Sequence, residues 1–117
     1  MSHAQNEEMM VRISEIQVHR AHLKQYMEIL HEEAAASVRL EPGVIAIFPM
    51  YQRDDDTEFR ILEIYANRQA YEAHLQTPHF QHYKTSTLSM VKSLKLIDME
   101  ALDAATMSAI FRKLPRP

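Results

Sequence analysis

Residues 23–51 read LKQYMEILHEEAAASVRLEPGVIAIFPMY, and the spacing of the apolar residues changes within this stretch. Up to Leu40 the apolar residues recur at helical spacing, which predicts one face of an α-helix. These residues are Leu23, Tyr26, Met27, Leu30, Ala34 and Val38. Because Pro42 disfavours helical geometry in the residue before it and Gly43 can take a positive φ, the helix is predicted to end at Leu40 in a turn.

Strands are predicted on both sides of this helix. In the segment 44–51, Pro49 cannot donate a ladder hydrogen bond, so this strand is expected at a sheet edge or with a bulge. The segment 11–19 is predicted to be the first strand, although its apolar alternation slips between Ile13 and Ile16. A bulge, or burial on both faces of the strand, would explain that slip.

The second half of the chain alternates between strand and helix in the same way. Strands are predicted over 59–65 and 92–99. Between them, Asn67 is a suitable N-cap for a short helix, and a further helix can begin with Pro78 in its first turn. Asp103 could cap a last short helix, whose apolar side would consist of Met107, Ile110, Phe111 and Leu114.

The resulting order is β-α-β-β-α-α-β, and counting the helix pair as one crossover gives the ferredoxin-like pattern. The predicted fold class is therefore α+β, with a four-stranded antiparallel sheet and helices on one face. This single domain is expected over residues 10–100. Residues 1–9 are expected to be a disordered or cloning-derived leader, and residues 101–117 form a tail with a short helix.

A homodimer is predicted from the faces of the third strand. Phe59, Ile61, Glu63 and Tyr65 alternate along it and share one face. We expect this face to be the one that the helices leave open. A second subunit is then the simplest cover for its apolar side chains.

The composition excludes several classes of function. The chain has no cysteine, so disulfides, thiolate nucleophiles and cysteine-based metal sites are absent. The net charge of −3 and the scattered basic residues argue against nucleic acid as a partner. No apolar run approaches the ~20 residues that span a bilayer, and no secretory signal is recognisable. A soluble cytoplasmic protein is predicted, without a membrane partner.

Seven histidines raise the question of a metal site. His19 and His22 are closely spaced, as are His79 and His82, but neither pair has an obvious third ligand. In His31-Glu32-Glu33, groups two residues apart on a helix point to different sides. We therefore predict no metal.

His74 and His79 differ from the other histidines because they flank the break before Pro78. Such a break exposes backbone N–H groups at the new helix start, where an anionic oxygen can bind and a nearby histidine can exchange a proton. The alternative is that His74 is a buried histidine, bonded to one carboxylate, that locks the helix to the sheet.

Glu63 is a carboxylate on an otherwise apolar strand face, so it must be paired, hydrogen-bonded or protonated. It could orient a histidine, or it could form a structural ion pair with Arg12 or Arg60. The hydroxyl of Tyr65, on the same face, could hold a ligand oxygen or simply pack.

Three segments resemble the antibiotic-biosynthesis-monooxygenase family. They are EPG at 41–43, EIY at 63–65 and YEAHLQTPHF at 71–80. The stretch 72–79 is especially similar to bacterial quinol (menadiol) monooxygenases, and the likeness covers about 11–99. The resemblance implies a dimeric α+β barrel with the two sheets face to face and a pocket between sheet and helices. The haem-degrading branch is disfavoured, because it needs a tryptophan at Tyr65 and an axial histidine at Lys84.

The function implied by the resemblance is oxidation of a quinol-like or polycyclic hydroxyaromatic substrate by O2, without any cofactor. In this hypothesis His74 is the base or proton shuttle and Glu63 orients it, with a shared hydrogen bond between them. Tyr65 and His79 contact the substrate. The protein would supply desolvation, a base and orientation, while the substrate supplies the electrons.

Two alternatives remain open. The first is isomerisation or breakdown of a small phosphorylated carbonyl signal, which Arg12 or Arg60 pointing into the pocket would favour. The second is a non-catalytic dimeric protein that binds small molecules, which a pocket too small for a bicyclic ring would favour.

Overall fold

The structure, a computed structural model, describes residues 8–116 and contains one four-stranded antiparallel sheet with helices packed on one face. The strands are β1 (Met10–Val18), β2 (Val44–Tyr51), β3 (Glu58–Tyr65) and β4 (Val91–Met99). The helices are α1 (Leu23–Leu40), α2 (Arg68–Leu75), α3 (Pro78–Thr87) and α4 (Met107–Ile110), with 3-10 turns at Arg20–His22, Ala104–Thr106 and Phe111–Lys113. The strand order β2-β3-β1-β4 confirms the ferredoxin-like α+β prediction.

β1 has no bulge between Ile13 and Ile16, and only one of its faces is buried, so both explanations considered for the slip in its apolar alternation are wrong. Pairing with β3 runs without a break from Met10 to Gln17, and the shift in register occurs later, between Gln17 and Val18 against β4. The apolar alternation slips because the inward positions before Ile16 carry Arg12 and Ser14, both buried. Two polar residues pointing inward break the pattern while the backbone remains a regular strand.

The core lies between α1 and the inward face of β3. Phe59 and Ile61 are 2% and 5% exposed, and the ring of Tyr26 from α1 packs edge-on against Phe59 with centroids 5.1 Å apart. The helices therefore cover the face that carries Phe59, Ile61 and Tyr65. The prediction that this face is left open is wrong, because alternation along a strand does not reveal which of its two faces the helices cover.

The face without helices is nevertheless apolar. The register places Ile13 opposite both Leu62 and Ile97, and Phe48 opposite Leu62, so these side chains share that face. Phe48 is 58% exposed. The homodimer stays a prediction, with this open face as its expected interface.

The buried face of α1 is more polar than its apolar stripe suggests. Tyr26, Leu30 and Ala34 are buried as predicted, but Glu33 and Ser37 are buried with them. Val38, predicted to be part of the stripe, is 48% exposed. Two polar side chains one helical turn apart, Glu33 and Ser37, thus point inward in the C-terminal half of α1.

Gly43 is needed for close packing rather than for an unusual backbone angle. No residue in the described range has a positive φ, so the freedom expected of Gly43 is not used. A Cβ atom at this position would lie 2.5 Å from the Cβ of Ala70, at the start of α2. Only glycine at position 43 therefore allows the turn after α1 to pass this close to α2.

The two ends of the chain are described in part. Residues 1–7, most of the predicted leader, lie outside the described residues, as do the side chains of Met107, Ile110 and Phe111 on the predicted tail helix. Asp103 does cap the tail, accepting a hydrogen bond from the Ala105 N–H at 3.1 Å. Within residues 8–116, no helix combines the length and apolar composition needed to cross a membrane.

Candidate active site

The break between α2 and α3 brings two histidines to one point. Asn67 caps α2 as predicted, and His74 lies in the last turn of that helix. Thr77 then caps α3, accepting a hydrogen bond from the Phe80 N–H at 3.2 Å, and Pro78 occupies the first turn. His79 consequently starts the new helix beside the end of the old one, with its ring centroid 6.2 Å from that of His74.

Glu41 joins the two histidines. It follows α1 and has an extended backbone, with φ −107° and ψ 108°, as expected for a residue before proline. Its Oε2 atom lies 2.8 Å from Nδ1 of His74 and 2.6 Å from Nε2 of His79. The carboxylate of Glu41 is therefore held by the two histidine rings.

Glu33 lies on the other side of the His74 ring. Its Oε1 accepts a hydrogen bond from the Ser37 hydroxyl at 2.8 Å and lies 3.4 Å from Nε2 of His74. Burial raises the pKa of Glu33 above its usual value, against the opposing influence of the Ser37 hydrogen bond and the His74 ring. Glu33, His74, Glu41 and His79 therefore follow one another in a continuous series, which we call the histidine–carboxylate chain.

Glu63 belongs to a separate cluster beneath this chain. Tyr65 donates a hydrogen bond from its hydroxyl to Glu63 Oε1 at 2.7 Å, and Ser14 donates to Oε2. The predicted hydrogen bond between His74 and Glu63 is not formed, because Glu41 occupies Nδ1 of His74 and Glu33 faces Nε2. The two clusters meet through packing, since the Tyr65 and His74 ring centroids are 5.4 Å apart.

The arginines proposed as partners of Glu63 bind other acids. Arg12 pairs with Asp98 at 2.9 Å and donates to the Tyr71 hydroxyl at 2.7 Å. Arg60 lies 3.2 Å from Glu58. The structural ion pair considered for Glu63 is therefore wrong, because hydroxyl groups satisfy this carboxylate instead.

Buried tyrosines fill the space between the sheet and the helices. The hydroxyls of Tyr26 and Tyr83 are 2.7 Å apart, and burial raises the pKa of Tyr83 to about 12. Burial also raises the pKa of Tyr26 and of Tyr65. These side chains are neutral at physiological pH, so they act as hydrogen-bond donors and not as bases.

A cavity of about 400 Å³ lies between α1 and the start of α3. Its lining consists of Ile29, Glu32, Glu33, Ala35, Ala36, Arg39, Pro78, His79 and His82. Every one of these residues lies on a helix. The resemblance had implied a pocket between sheet and helices, but there the fully buried Tyr26 and Tyr65 fill the space.

Only some of the predicted site residues line the cavity. His79 lines it, as does Glu33, so the two ends of the histidine–carboxylate chain open onto one space. His74 connects them from behind and, like Glu63 and Tyr65, is not part of the wall. A second depression, about 250 Å³, lies between the start of β1 and the end of β4, away from all of these groups.

Three of these groups could also hold a metal ion. Ligand atoms of Glu41, His74 and His79 all lie within 4.8 Å of one another. Sequence reasoning considered only the pairs His19/His22 and His79/His82, so it did not weigh this set. Two histidines and one carboxylate are the ligand set of non-haem iron oxygenases. In this structure a single Glu41 oxygen is hydrogen-bonded to both rings, through Nδ1 of His74 and Nε2 of His79.

Comparison with known proteins identifies the family. The sequence model for antibiotic biosynthesis monooxygenases matches residues 9–86, about two thirds of the chain. The chain belongs to the antibiotic biosynthesis monooxygenase family. No curated protein matches it.

Solved structures of other family members share the fold. A protein from Bacteroides thetaiotaomicron, provisionally named an antibiotic biosynthesis monooxygenase, is 43% identical over 84% of this chain and 93% of its own, with a TM-score of 0.81. A provisionally named monooxygenase from Lactobacillus acidophilus is 28% identical with a TM-score of 0.78, over 80% of this chain and 45% of its own. A protein from Nitrosomonas europaea also shares the fold, with a TM-score of 0.78. It is 23% identical over 84% of this chain and 94% of its own.

Sequence reasoning did not identify two acids of this family member as site residues. Glu33 lies three residues after Leu30 and seven after Tyr26, so it falls on the buried side of the predicted helix, which was a usable signal. Glu41 was noted in the turn before Gly43 and in the EPG segment of the family resemblance, but it was given no role in the site. Its carboxylate meets His74 and His79 through tertiary packing between α1 and the α2–α3 break, and no local pattern encodes that contact.

Proposed function

We propose that the chain is a monooxygenase that oxidises a quinol-like or polycyclic hydroxyaromatic compound with O2 and without a cofactor. The observation that carries this proposal is that both ends of the histidine–carboxylate chain, Glu33 and His79, open onto the same cavity. Ile29, Ala35, Ala36 and Pro78 give that cavity an apolar wall suited to aromatic rings. Its volume of about 400 Å³ falls within the ~300–1,000 Å³ typical of small-molecule sites.

His79 is the group we assign to remove the phenolic proton. Its Nε2 atom lies 2.6 Å from Glu41, so Nε2 carries the hydrogen and Nδ1 keeps a lone pair for the substrate. Within the described residues, Nδ1 of His79 has no hydrogen-bond partner. The Glu41 carboxylate then stabilises the imidazolium that forms, as a carboxylate does for a catalytic histidine.

The substrate supplies every electron in the reaction. The deprotonated quinol gives one electron to O2, and the resulting radical pair combines to form a carbon–oxygen bond. Cleavage of the oxygen–oxygen bond leaves one oxygen atom on the ring and releases the other as water. A quinol and O2 thus become a hydroxyquinone and water, and no external reductant is needed.

Glu33 and His74 are assigned the return of the proton. Glu33 faces the cavity with a raised pKa, so its neutral form can protonate the departing oxygen. His74 lies between Glu33 and Glu41, which lets it pass a proton along the chain and keeps the shuttle role expected for it. Glu63 and Tyr65 support the His74 ring from below, and neither is assigned a contact with substrate.

The two arginines considered from the sequence as contacts for a phosphorylated carbonyl substrate are engaged elsewhere, and the cavity wall carries a single arginine among the described residues, Arg39. Arg12 binds Asp98 and Arg60 binds Glu58, and neither lines the cavity. The cavity volume of about 400 Å³ also gives no support to the non-catalytic alternative, which a pocket too small for a bicyclic ring would have favoured. The quinol hypothesis is therefore the one that the geometry supports best.

The experiment is oxygen uptake by chelator-treated protein with a panel of reduced quinols. We expect turnover above the rate of autoxidation, unchanged by the chelator. His79→Ala should lower the rate by about 10²–10⁴, the usual contribution of a general base, whereas exposed His31→Ala should not. Uptake equal to the protein-free blank would refute the oxygenase, and activity restored by one added metal would favour the Glu41, His74 and His79 set as its ligands.

A further inference from the structure

The cavity carries an uneven distribution of charge. Its titratable groups are Glu32, Glu33, Arg39, His79 and His82. Glu33 lies at the buried inner end, where burial favours its neutral form. Glu32 and Arg39 are exposed, and because they are seven residues apart they lie on the same side of α1. Arg39 is thus the one permanently charged cation on the cavity wall.

Arg39 has no acidic partner within the described residues, in contrast to most arginines of the domain. Arg12, Arg20, Arg60 and Arg68 each lie within 4 Å of a carboxylate. Arg39 forms neither an ion pair nor a side-chain hydrogen bond in that range. A guanidinium that is left without a partner on a cavity wall is suited to bind a planar anion of a ligand.

The spacing along α1 matches an elongated ligand. Arg39 lies six residues after Glu33, which corresponds to about 9 Å along a helix axis. A two-ring aromatic acid whose hydroxyl and carboxylate lie at opposite ends spans a comparable length. Its hydroxyl would lie at the His79 and Glu33 end, and Ala35 and Ala36, which lie between Glu33 and Arg39 on α1, would flank its rings.

We propose that the substrate is a hydroxyaromatic acid, whose ring carboxylate is bound by Arg39 at the outer end of the cavity. As a statement about the substrate it rests on the proposed oxygenase function, whereas the binding of an anionic hydroxyaromatic can be tested without turnover. Arg39 is then a specificity-determining residue: it selects acidic hydroxyaromatics over neutral ones and takes no part in the proton transfer. Glu32, the acid at the same opening, opposes the anion and limits its affinity.

The test uses two redox-stable fluorescent probes, 6-hydroxy-2-naphthoate and neutral 2-naphthol, titrated into the full chain. We expect the naphthoate to bind about fivefold more tightly, as for one partly exposed charge-assisted contact. Arg39→Gln should abolish this preference and leave 2-naphthol binding unchanged. Glu32→Gln should increase the preference, because it removes the repelling charge.

Arg53→Gln is the matched control. Arg53 is an exposed arginine in the β2–β3 turn, also without an ion pair among the described residues, and it lies outside the cavity. Equal binding of both probes by the wild type, or an equal effect of the Arg39 and Arg53 substitutions, would overturn the proposal. Tighter binding of dihydroxyacetone phosphate than of the naphthoate would overturn it too, in favour of a small phosphorylated carbonyl.

The two proposals fail in different ways. Because the probes are not oxidised, their affinities are independent of turnover. Absence of oxygen uptake with every quinol would refute the oxygenase and leave a selective binder of aromatic acids. Oxygen uptake that is identical for neutral and acidic quinols would refute the role of Arg39 and leave the oxygenase standing.

Discussion

Glu41 is the residue on which the proposed proton transfer most depends. It is the only carboxylate of the described residues that is hydrogen-bonded to both His74 and His79. Its carboxylate holds both rings in one orientation by accepting a hydrogen bond from each. The proposed roles of the two histidines therefore depend on Glu41, which lies 33 residues from His74 and 38 residues from His79 in the sequence.

Replacing Glu41 by Gln should separate charge from shape. The amide keeps the size of the side chain but cannot stabilise an imidazolium, so we expect turnover to fall by about 10² or more while the affinity for substrate changes little. Steady-state oxygen uptake measures both quantities. Glu72→Gln, at an exposed acid that pairs with Arg68, is the control and should behave like the wild type.

Glu33 should make stability depend on pH in a direction opposite to that of an ordinary surface acid. Its pKa is raised by burial, with Glu63 adding to the effect and Ser37, His74 and His79 opposing it. Neutral Glu33 stabilises the fold fully below the unfolded pKa of about 4.3, and this contribution is lost as pH rises through the folded pKa.

Glu33→Gln mimics the neutral form, so the variant should be the more stable protein at pH 8, by about 1 kcal/mol, the scale of desolvated polar groups in proteins. The difference should shrink as the pH falls towards 4.3. Urea unfolding from pH 4 to pH 8 checks this, with Glu32→Gln as the exposed neighbour. If the unfolding free energies of the wild type and of Glu33→Gln differed by the same amount at every pH, Glu33 would not titrate in this way.

At the scale of whole elements, sequence patterns predicted most of the fold. The helical spacing and the Pro42–Gly43 turn predicted the bounds of α1 that are observed, and Asn67 and Pro78 marked the starts of α2 and α3. These signals work because caps and periodicity are local properties of the chain. The inward direction of Phe59 and the contact between Glu41 and His79 depend on how elements pack, so they became visible only in three dimensions.

The packing of α2 against the turn after α1 gives a prediction at this scale. Gly43→Ala places a methyl group 2.5 Å from the Cβ of Ala70, and Glu41 lies two residues before this point, directly after α1. We expect a loss of about 1–3 kcal/mol in unfolding free energy, typical of overpacking, together with a loss of turnover as Glu41 is displaced.

The companion change Ala70→Gly removes the atom that would clash. On its own it should cost about 1 kcal/mol through lower helix propensity. Combined with Gly43→Ala, it should recover part of the stability, and chemical denaturation of the four proteins measures that coupling. Additive effects of the two substitutions would show that the contact does not determine the need for glycine.

Among residues 8–116, the helices leave one face of the sheet uncovered. This open face carries Phe48, Leu62, Ile13 and Ile97, and the 58% exposure of Phe48 is unusual for a phenylalanine on a sheet. A second copy of the chain would bury these side chains in a twofold interface. The active-site cavity lies on the opposite side, between α1 and α3, so dimerisation would leave its entrance free.

Phe48→Lys should therefore convert a dimer into a monomer. A lysine within an apolar interface cannot be desolvated without a partner, so the association should weaken by at least 10²-fold. Sedimentation velocity over a range of micromolar concentrations measures this shift. Leu88→Lys is the matched control, because Leu88 is 76% exposed and follows α3, away from the open face. A wild-type protein that is monomeric throughout that range would disprove the dimer, and a dimer that survives Phe48→Lys would require an interface elsewhere on the molecule.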